Sequence, residues 1–282
     1  MKFWLNGELF DGSGGSLPAG AVSSRSAGLT LGWGVFTTIG VRAGGPRFLE
    51  RHFRRLSRDA QAADVPFDLD FVAISDALGA VLRANQIQNG LARLTLTRCG
   101  DGRWNTQDGA DLSIFTLQSD AASEELRAQL SPFRVEARRA LVGIKTTAYL
   151  PYLWAWRDAK QRGFDEAILR ESQDFWCEGA RSTLFWVNNG EIYTPSLETG
   201  CLRGVGRELV LQWAAHRQIR VHQGQFLGGE TENAVEMWLV SGATGSRPLR
   251  ALHDESGAPH IEFSIENPLC NEFSRWFDAQ SE

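Results

Sequence analysis

Leu141-Val142-Gly143-Ile144-Lys145-Thr146-Thr147 is a short apolar run that closes on a lysine. Lysine is scarce here: Lys2, Lys145 and Lys160 are the three lysines among 29 basic residues, and the rest are arginine. For charge or ion pairing, arginine serves as well or better, being always protonated and forked. An amine does what a guanidinium does not, because when desolvated it loses its proton and attacks a carbonyl carbon. The run reads as an apolar strand with Lys145 at its end. Position alone leaves two readings open: a lysine that closes a strand and reaches solvent along its stem, or a nucleophile held in an apolar wall.

The chain has 282 residues, 43% of them apolar and ten of them tryptophan, which is ample for one large core or two modest ones. The net charge is −5, and the arginines are scattered among carboxylates. That distribution argues against nucleic-acid or anionic-membrane binding and leaves small anions as plausible ligands. Cys99, Cys177, Cys201 and Cys270 form no C-x-x-C pair, and His52, His216, His222, His253 and His260 form no metal motif, so free thiols and no metal are expected. The N-terminal apolar run is too short for a signal peptide, and no stretch approaches the ~20 apolar residues of a membrane span. The expectation is a cytoplasmic, soluble protein.

Working outward from Lys145, the pattern predicts an α+β chain of two domains. Residues 1–117 form a small N-terminal domain: a hairpin about Asn6-Gly7, a strand at 35–41, helices at 50–63 and 71–82, and strands at 91–97 and 112–117. The polar stretch 118–129 reads as the connection. Residues 130–282 form a larger domain that carries Lys145, with strands at 134–136, 166–169, 184–187 and 237–240 and helices at 150–162, 204–217 and 268–279. Ligand sites favour domain interfaces, so a cleft between the two is expected beside Lys145.

Three further features cluster in the second half. Gly200-Cys201-Leu202-Arg203-Gly204-Val205-Gly206-Arg207 opens a helix, where backbone N–H groups are disposed to hold an anion; a plain turn reads the same way. Ser241-Gly242-Ala243-Thr244-Gly245-Ser246 is a second small-residue loop after a strand, and alone it is an ordinary loop. Glu178-Gly179 sits at a bend between strand-like 174–177 and 182–187, either solvated or aimed into a cleft. A reactive lysine, anion-ready loops and a carboxylate able to pair with a protonated ring nitrogen are the parts a pyridoxal phosphate site needs.

Ile144-Lys145-Thr146-Thr147-Ala148-Tyr149-Leu150, Gly163-Phe164-Asp165-Glu166-Ala167, Glu178-Gly179, Leu184-Phe185-Trp186, Tyr193-Thr194-Pro195 and Gly200 to Arg207 stand in the order found in class IV aminotransferases. Gly32-Trp33-Gly34-Val35-Phe36-Thr37-Thr38 and His52-Phe53-Arg54-Arg55-Leu56 agree with it. The chain therefore resembles the fold-type IV pyridoxal phosphate enzymes, which include branched-chain and D-amino acid transaminases and aminodeoxychorismate lyase. The resemblance implies a homodimer with the cofactor in the interdomain cleft. It makes Lys145 the Schiff-base lysine, Glu178 the partner of the pyridine nitrogen and Arg55 a phosphate ligand. Leu202 would lie against the ring, Val205, Gly206, Gly242 and Ala243 would offer N–H groups to the phosphate, and Tyr149 would stand near the phenolic oxygen.

Thr183, Gly206 and Gly242 depart from the Asn and hydroxyl residues several members carry, so more of the phosphate's hold would fall on backbone N–H groups and Arg55. Trp33 stands where many members have a small or acidic residue. Phe36 and Thr38 resemble the lyase members and line the substrate side. Arg103, in Asp101-Gly102-Arg103, is the expected partner of a substrate carboxylate, with the Ser241 to Thr244 loop next in line. Transamination and elimination share Lys145 and Glu178, so the expected activity is transamination between a carboxylate-bearing amine and a 2-oxo acid, with aminodeoxychorismate lyase as the alternative. A non-catalytic binding protein is the third reading, and the retention of Lys145, Glu178 and Arg55 together argues against it.

Overall fold

The computed structural model describes residues 1–12, 22–104, 109–117, 126–263 and 266–280. It divides into two units, Met1–Ala121 with Ile144–Ala148, and Ala122–Gly143 with Tyr149–Ser281. Residues 118–125, most of the expected connection, lie outside the described residues.

The first unit holds β1 (Lys2–Leu5), β2 (Glu8–Asp11), α1 (Ala27–Thr30), β3 (Gly34–Arg42), β4 (Gly45–Pro46), α2 (Leu49–Ala62), α3 (Phe71–Ala84), β5 (Gly90–Arg98) and β6 (Ala110–Leu117). Its strands form one antiparallel sheet in the order β2-β1-β6-β5-β3-β4. The opening hairpin turns on Asn6 and Gly7, both at positive φ (48° and 104°), the twist a two-residue connection requires. Alternation along the strands sorts the two faces, and Val35, Ile39, Leu94, Leu96, Leu112 and Ile114 share a core with Leu56, Ala60, Ile74 and Leu78 of α2 and α3. Asp70 starts α3 by accepting the Ala73 N–H at 2.8 Å. Beside the apolar residues of α2, its His52, Arg55 and Asp59 are also buried, on one face by their spacing. Trp33, for which the sequence suggests no role, donates its indole N–H to the Ala63 carbonyl at 2.7 Å and ties the end of α2 to the entry of β3.

The second unit holds β7 (Leu126–Val135), α4 (Leu150–Gln161), β8 (Glu166–Glu171), β9 (Trp176–Gly179), β10 (Thr183–Asn188), β11 (Glu191–Pro195), α5 (Val205–His216), β12 (Val221–Gly224), β13 (Glu236–Ser241), β14 (Gly245–His253), β15 (Pro259–Glu262) and α6 (Pro268–Ala279). The sheet runs β12-β11-β10-β13-β14-β7-β8-β9, with β15 paired to β14. Parallel β7 and β8 need a crossover, and α4 supplies it, packing against both. Trp176, Trp186, Trp213 and Trp238 are all fully buried and account for much of the apolar bulk. Pro268 opens α6, and Glu236 accepts the N–H groups of Leu269 and Cys270 at 3.1 and 3.0 Å where no cap residue does so. Among the described residues, no helix is long and apolar enough to cross a membrane.

Several local expectations are corrected. Leu141 to Thr147 is not a strand: Leu141 and Gly143 take left-handed backbone (φ 58° and 74°), which a pleated strand cannot continue through. Thr146 alone makes a bridge, to Val35, and Ile144–Ala148 groups with the first unit, so Lys145 does not ride on the C-terminal part as expected. Glu178 and Gly179 are not at a bend but end β9, with Glu178 opposite Leu169 of β8. Residues 126–129, expected in the connection, begin β7, because Leu126 and Ala128 alternate into the core.

Candidate active site

In the first unit the segment bearing Lys145 is pinned by its backbone. Its carbonyl accepts the Phe36 N–H at 3.0 Å, and its own N–H donates to Asp59 Oδ2 at 3.1 Å. Thr147 follows, with its N–H on the Gly34 carbonyl at 2.8 Å and its hydroxyl on the Gly32 carbonyl at 2.7 Å. The Lys145 Nζ stands 4.6 Å from the centroid of the Phe36 ring, and the Arg93 guanidinium carbon stands 3.8 Å from the same centroid. Phe36 is buried, and a desolvated ring strengthens its attraction for the Arg93 guanidinium. Thr38 lies opposite Arg93 in the β3–β5 register, so Phe36, Thr38 and Arg93 share one face of the sheet.

Thr37 points to the other face, toward α2. Its hydroxyl accepts from Arg55 Nη2 at 2.6 Å and lies 2.7 Å from His52 Nδ1. Thr37, His52, Arg55 and Asp59 are all buried. Arg55 is thus a buried cation with a fixed side-chain direction, which a surface helix arginine does not have.

In the second unit Glu178 is held at both oxygens. Oε2 accepts the Leu202 N–H at 3.0 Å, and Oε1 accepts the Tyr152 O–H at 3.1 Å. Arg139 Nη2 donates in turn to the Tyr152 oxygen at 2.6 Å. Burial, and next the charge of Glu178, push the Tyr152 phenol well above its ordinary value of 10.0, so it stays a donor. Tyr149 stacks on Tyr152 with centroids 4.8 Å apart and gives its O–H to the Ala180 carbonyl at 2.8 Å. Cys201, beside Leu202, is pushed up to about 11 by burial and then by Glu178, and Cys177 is raised for the same reasons, so both remain thiols.

Val205 and Gly206 are the first residues of α5. A Cβ on Gly206 would fall 2.8 Å from the Ser241 carbonyl carbon and 3.0 Å from the Gly242 nitrogen, so the two small-residue loops meet at a contact only glycine permits. First-turn N–H groups of a helix have no acceptor within it, and they carry the positive end of its dipole. The Gly206–Gly242 contact therefore brings a second stretch of backbone against the start of α5, with Ala243 next along it. Thr244 is differently engaged: its N–H donates to Ser241 Oγ at 3.0 Å.

Arg103 is not drawn toward this chemistry. Its side chain is 78% exposed and pairs with Asp101, Nε to Oδ2 at 2.6 Å. Backbone and side-chain bonds from Arg103 hold the Asp101 carboxyl below its ordinary value, so that carboxylate is ionised opposite the guanidinium.

The family model for amino-transferase class IV matches residues 34–252. The chain belongs to that family. Among its relatives is a putative branched-chain-amino-acid aminotransferase of Methanocaldococcus jannaschii, 27% identical over 255 residues, which cover 88% of this chain and 87% of the relative. Another is the aminodeoxychorismate lyase of Bacillus subtilis, 25% identical over 234 residues and 80% of each chain. The solved branched-chain aminotransferase of Thermoproteus uzoniensis with norvaline superposes with a TM-score of 0.87 at 25% identity, covering 99% of this chain and 93% of that one. The fold is that of the fold-type IV enzymes, α+β with two sheets. Aminotransferase and lyase relatives are similar to nearly the same degree, so likeness alone selects no reaction within this class IV enzyme.

Four residues beside the expected ones were not singled out from sequence. Arg93 looks like an outward residue of an amphipathic strand, and only the register with Thr38 brings it to Phe36. Asp59 had a usable signal, standing four residues after Arg55 and seven after His52 on α2. Tyr152 and Arg139 gave none, because their meeting depends on the turns between β7 and α4.

Proposed function

We propose that this class IV enzyme is a pyridoxal 5'-phosphate-dependent transaminase, moving an amino group between an amino acid or other carboxylate-bearing amine and a 2-oxo acid. The observation that carries the reading is the shared ring of Phe36, which the Lys145 amine and the Arg93 guanidinium both approach. A nucleophile for a carbonyl carbon and a forked partner for a carboxylate are thereby held a few ångströms from one aromatic ring.

The donor set fits the cofactor. Lys145 would take its aldehyde, Glu178 its ring nitrogen, and Arg55 with the amides of Val205, Gly206, Gly242 and Ala243 its phosphate, while Leu202 would lie against the ring. The close contact of Gly206 with Gly242 supports the phosphate assignment, since a side chain there would part the two loops. Tyr149, whose proton is engaged with Ala180, still has an oxygen able to accept near the phenolic group. Once bound, the cofactor supplies an electron-accepting ring that stabilises charge developing on the substrate α-carbon. Lys145, as the free amine, then takes the α-proton as general base. Glu178, held at both oxygens, would as a carboxylate favour the protonated ring nitrogen. Phe36 and Thr38 bound the substrate, and Arg93 takes its carboxylate, with Arg103 and Thr244 as the sequence's own candidates for that role.

Elimination of pyruvate from 4-amino-4-deoxychorismate to leave 4-aminobenzoate is the second reading, supported by likeness to the Bacillus subtilis lyase. It would use the same Lys145 and Glu178. A homodimer in the cytoplasm is the accompanying proposal, resting on family resemblance. Incubation of the purified protein with D- and L-amino acids plus 2-oxo acids, and separately with aminodeoxychorismate, decides between the readings. Amino transfer to a 2-oxo acid supports the first, and 4-aminobenzoate release without transfer replaces it with the second.

A further inference from the structure

Glu178 is the end of a line of hydrogen bonds that begins at a cation. Arg139 donates to the Tyr152 oxygen at 2.6 Å, and Tyr152 donates to Glu178 Oε1 at 3.1 Å. The tyrosine is not free to turn away, because its ring stacks on Tyr149 at 4.8 Å with 15° between planes. The line has a direction. A guanidinium on the phenol oxygen makes the phenol a stronger donor, and a stronger donor makes the carboxylate it serves a weaker base. The Arg139 guanidinium carbon is also 5.4 Å from the Tyr152 ring centroid, so the cation meets both the oxygen and the ring.

We infer that Tyr152 and Arg139 are positioning residues for Glu178, fixing its carboxylate and lowering its proton affinity so that a proton shared with the cofactor's ring nitrogen stays on the ring. The inference rests on the cofactor reading above. Glu178 has the Leu202 N–H at its other oxygen. The relay therefore acts on Oε1, the oxygen to which Tyr152 donates. Removing the phenol proton donor leaves Glu178 ionisable but more basic and less constrained, and removing the guanidinium weakens the phenol as donor while leaving the ring in place.

The test compares Tyr152→Phe, Arg139→Gln and Glu178→Gln with the parent protein. Each is loaded with pyridoxal 5'-phosphate carrying 15N in the ring, and cofactor affinity is measured separately by quenching of tryptophan fluorescence in the apoprotein. Phe keeps the stack on Tyr149, and Arg139→Gln probes the same line from its far end should Tyr152→Phe fail to fold. The relay predicts that the 15N resonance moves toward that of neutral pyridine, most in Glu178→Gln, less in Tyr152→Phe and least in Arg139→Gln, with affinity falling about three- to tenfold in Tyr152→Phe. Reversion of the 15N shift toward the parent's on lowering the pH of Tyr152→Phe supports a changed proton affinity as opposed to a collapsed site. If Glu178→Gln moves the resonance while both other variants keep the parent's shift and an affinity within twofold, the relay is overturned and the cofactor reading stands. A parent protein that takes up no pyridoxal phosphate overturns the cofactor reading itself.

Discussion

The carboxylate of Asp59, on α2, accepts the backbone N–H of Lys145 at 3.1 Å, and the Asp59 side chain is only 1% exposed. Its other oxygen accepts from Arg58 at 2.7 Å. A buried carboxylate on a helix thus joins β3 in fixing the backbone at Lys145, in a stretch that is not itself a strand. Asp59→Asn keeps an acceptor for the Lys145 N–H, whereas Asp59→Ala leaves that N–H without this partner, at a cost of about 1–3 kcal/mol. Urea unfolding should rank the stabilities parent, Asn, Ala, with Ala alone slowing lysine-dependent turnover severely. Equal turnover in parent and Asp59→Ala would reject the positioning role.

Borohydride reduction of the protein loaded with pyridoxal phosphate should leave the pyridoxyl group on Lys145 in peptide mapping. Lys145→Ala should lose turnover while keeping noncovalent affinity for the cofactor. Label on Lys2 or Lys160 instead would sink the assignment.

Arg55 and Glu178 should separate by phenotype. Arg55→Ala removes a buried cation that also serves Thr37, and a charge-assisted contact of this kind is worth about 1.5–3 kcal/mol, roughly ten- to more than a hundredfold in affinity. Cofactor affinity should fall by that factor. Glu178→Gln should mainly slow α-proton removal, seen as a larger drop in kcat than in affinity. Unchanged affinity in Arg55→Ala would show that the phosphate is held elsewhere.

The sequence made the first unit legible because its signals are local: Asn6-Gly7 for the hairpin, alternation for β5 and β6, and 3.6-residue spacing for α3. It misread the run around Lys145 for a physical reason. Leu141 and Gly143 adopt left-handed backbone, and nothing in an apolar composition distinguishes a turn that packs from a strand that pairs. The roles proposed for Lys145, Arg55 and Glu178 come from residue type and order in the sequence. Their supports, Asp59, Tyr152, Arg139 and Arg93, depend on register and on turns, which are fixed by tertiary packing.

Glu166 gives a pH dependence with a definite sign. It is completely buried, with Oε1 on the Ala167 N–H at 3.1 Å and Oε2 3.4 Å from Arg181 Nε. Burial raises its carboxyl above the ordinary 4.5, against the pull of Arg181, and Glu236 is raised by burial in the same sense. A raised folded value means that the folded chain binds more protons than the unfolded one. The stability due to these groups is therefore full below 4.5 and is lost as pH climbs through the folded values. Glu166→Gln removes one of the two, so its urea midpoint should vary less between about pH 5 and about pH 8 than the parent's. Identical slopes would mean that Glu166 is ionised in the folded protein throughout.

Substrate choice turns on which arginine meets the carboxylate. Arg93 stands beside the ring that the Lys145 amine approaches, while Arg103 is largely exposed and already paired with Asp101. Replacing an arginine that binds a substrate carboxylate leaves an anion without its partner, typically on the order of 2–4 kcal/mol, or about thirty- to a thousandfold in kcat/KM. Arg93→Ala should show that loss for amino acids and spare amines that lack a carboxylate, with KM rising more than kcat falls. Arg103→Ala should change kcat/KM by less than about threefold, because an exposed ion pair contributes little. The reverse pattern, a large loss in Arg103→Ala with Arg93→Ala unaffected, would return the carboxylate to the 101–103 loop and require that Arg103 leave Asp101 when substrate binds.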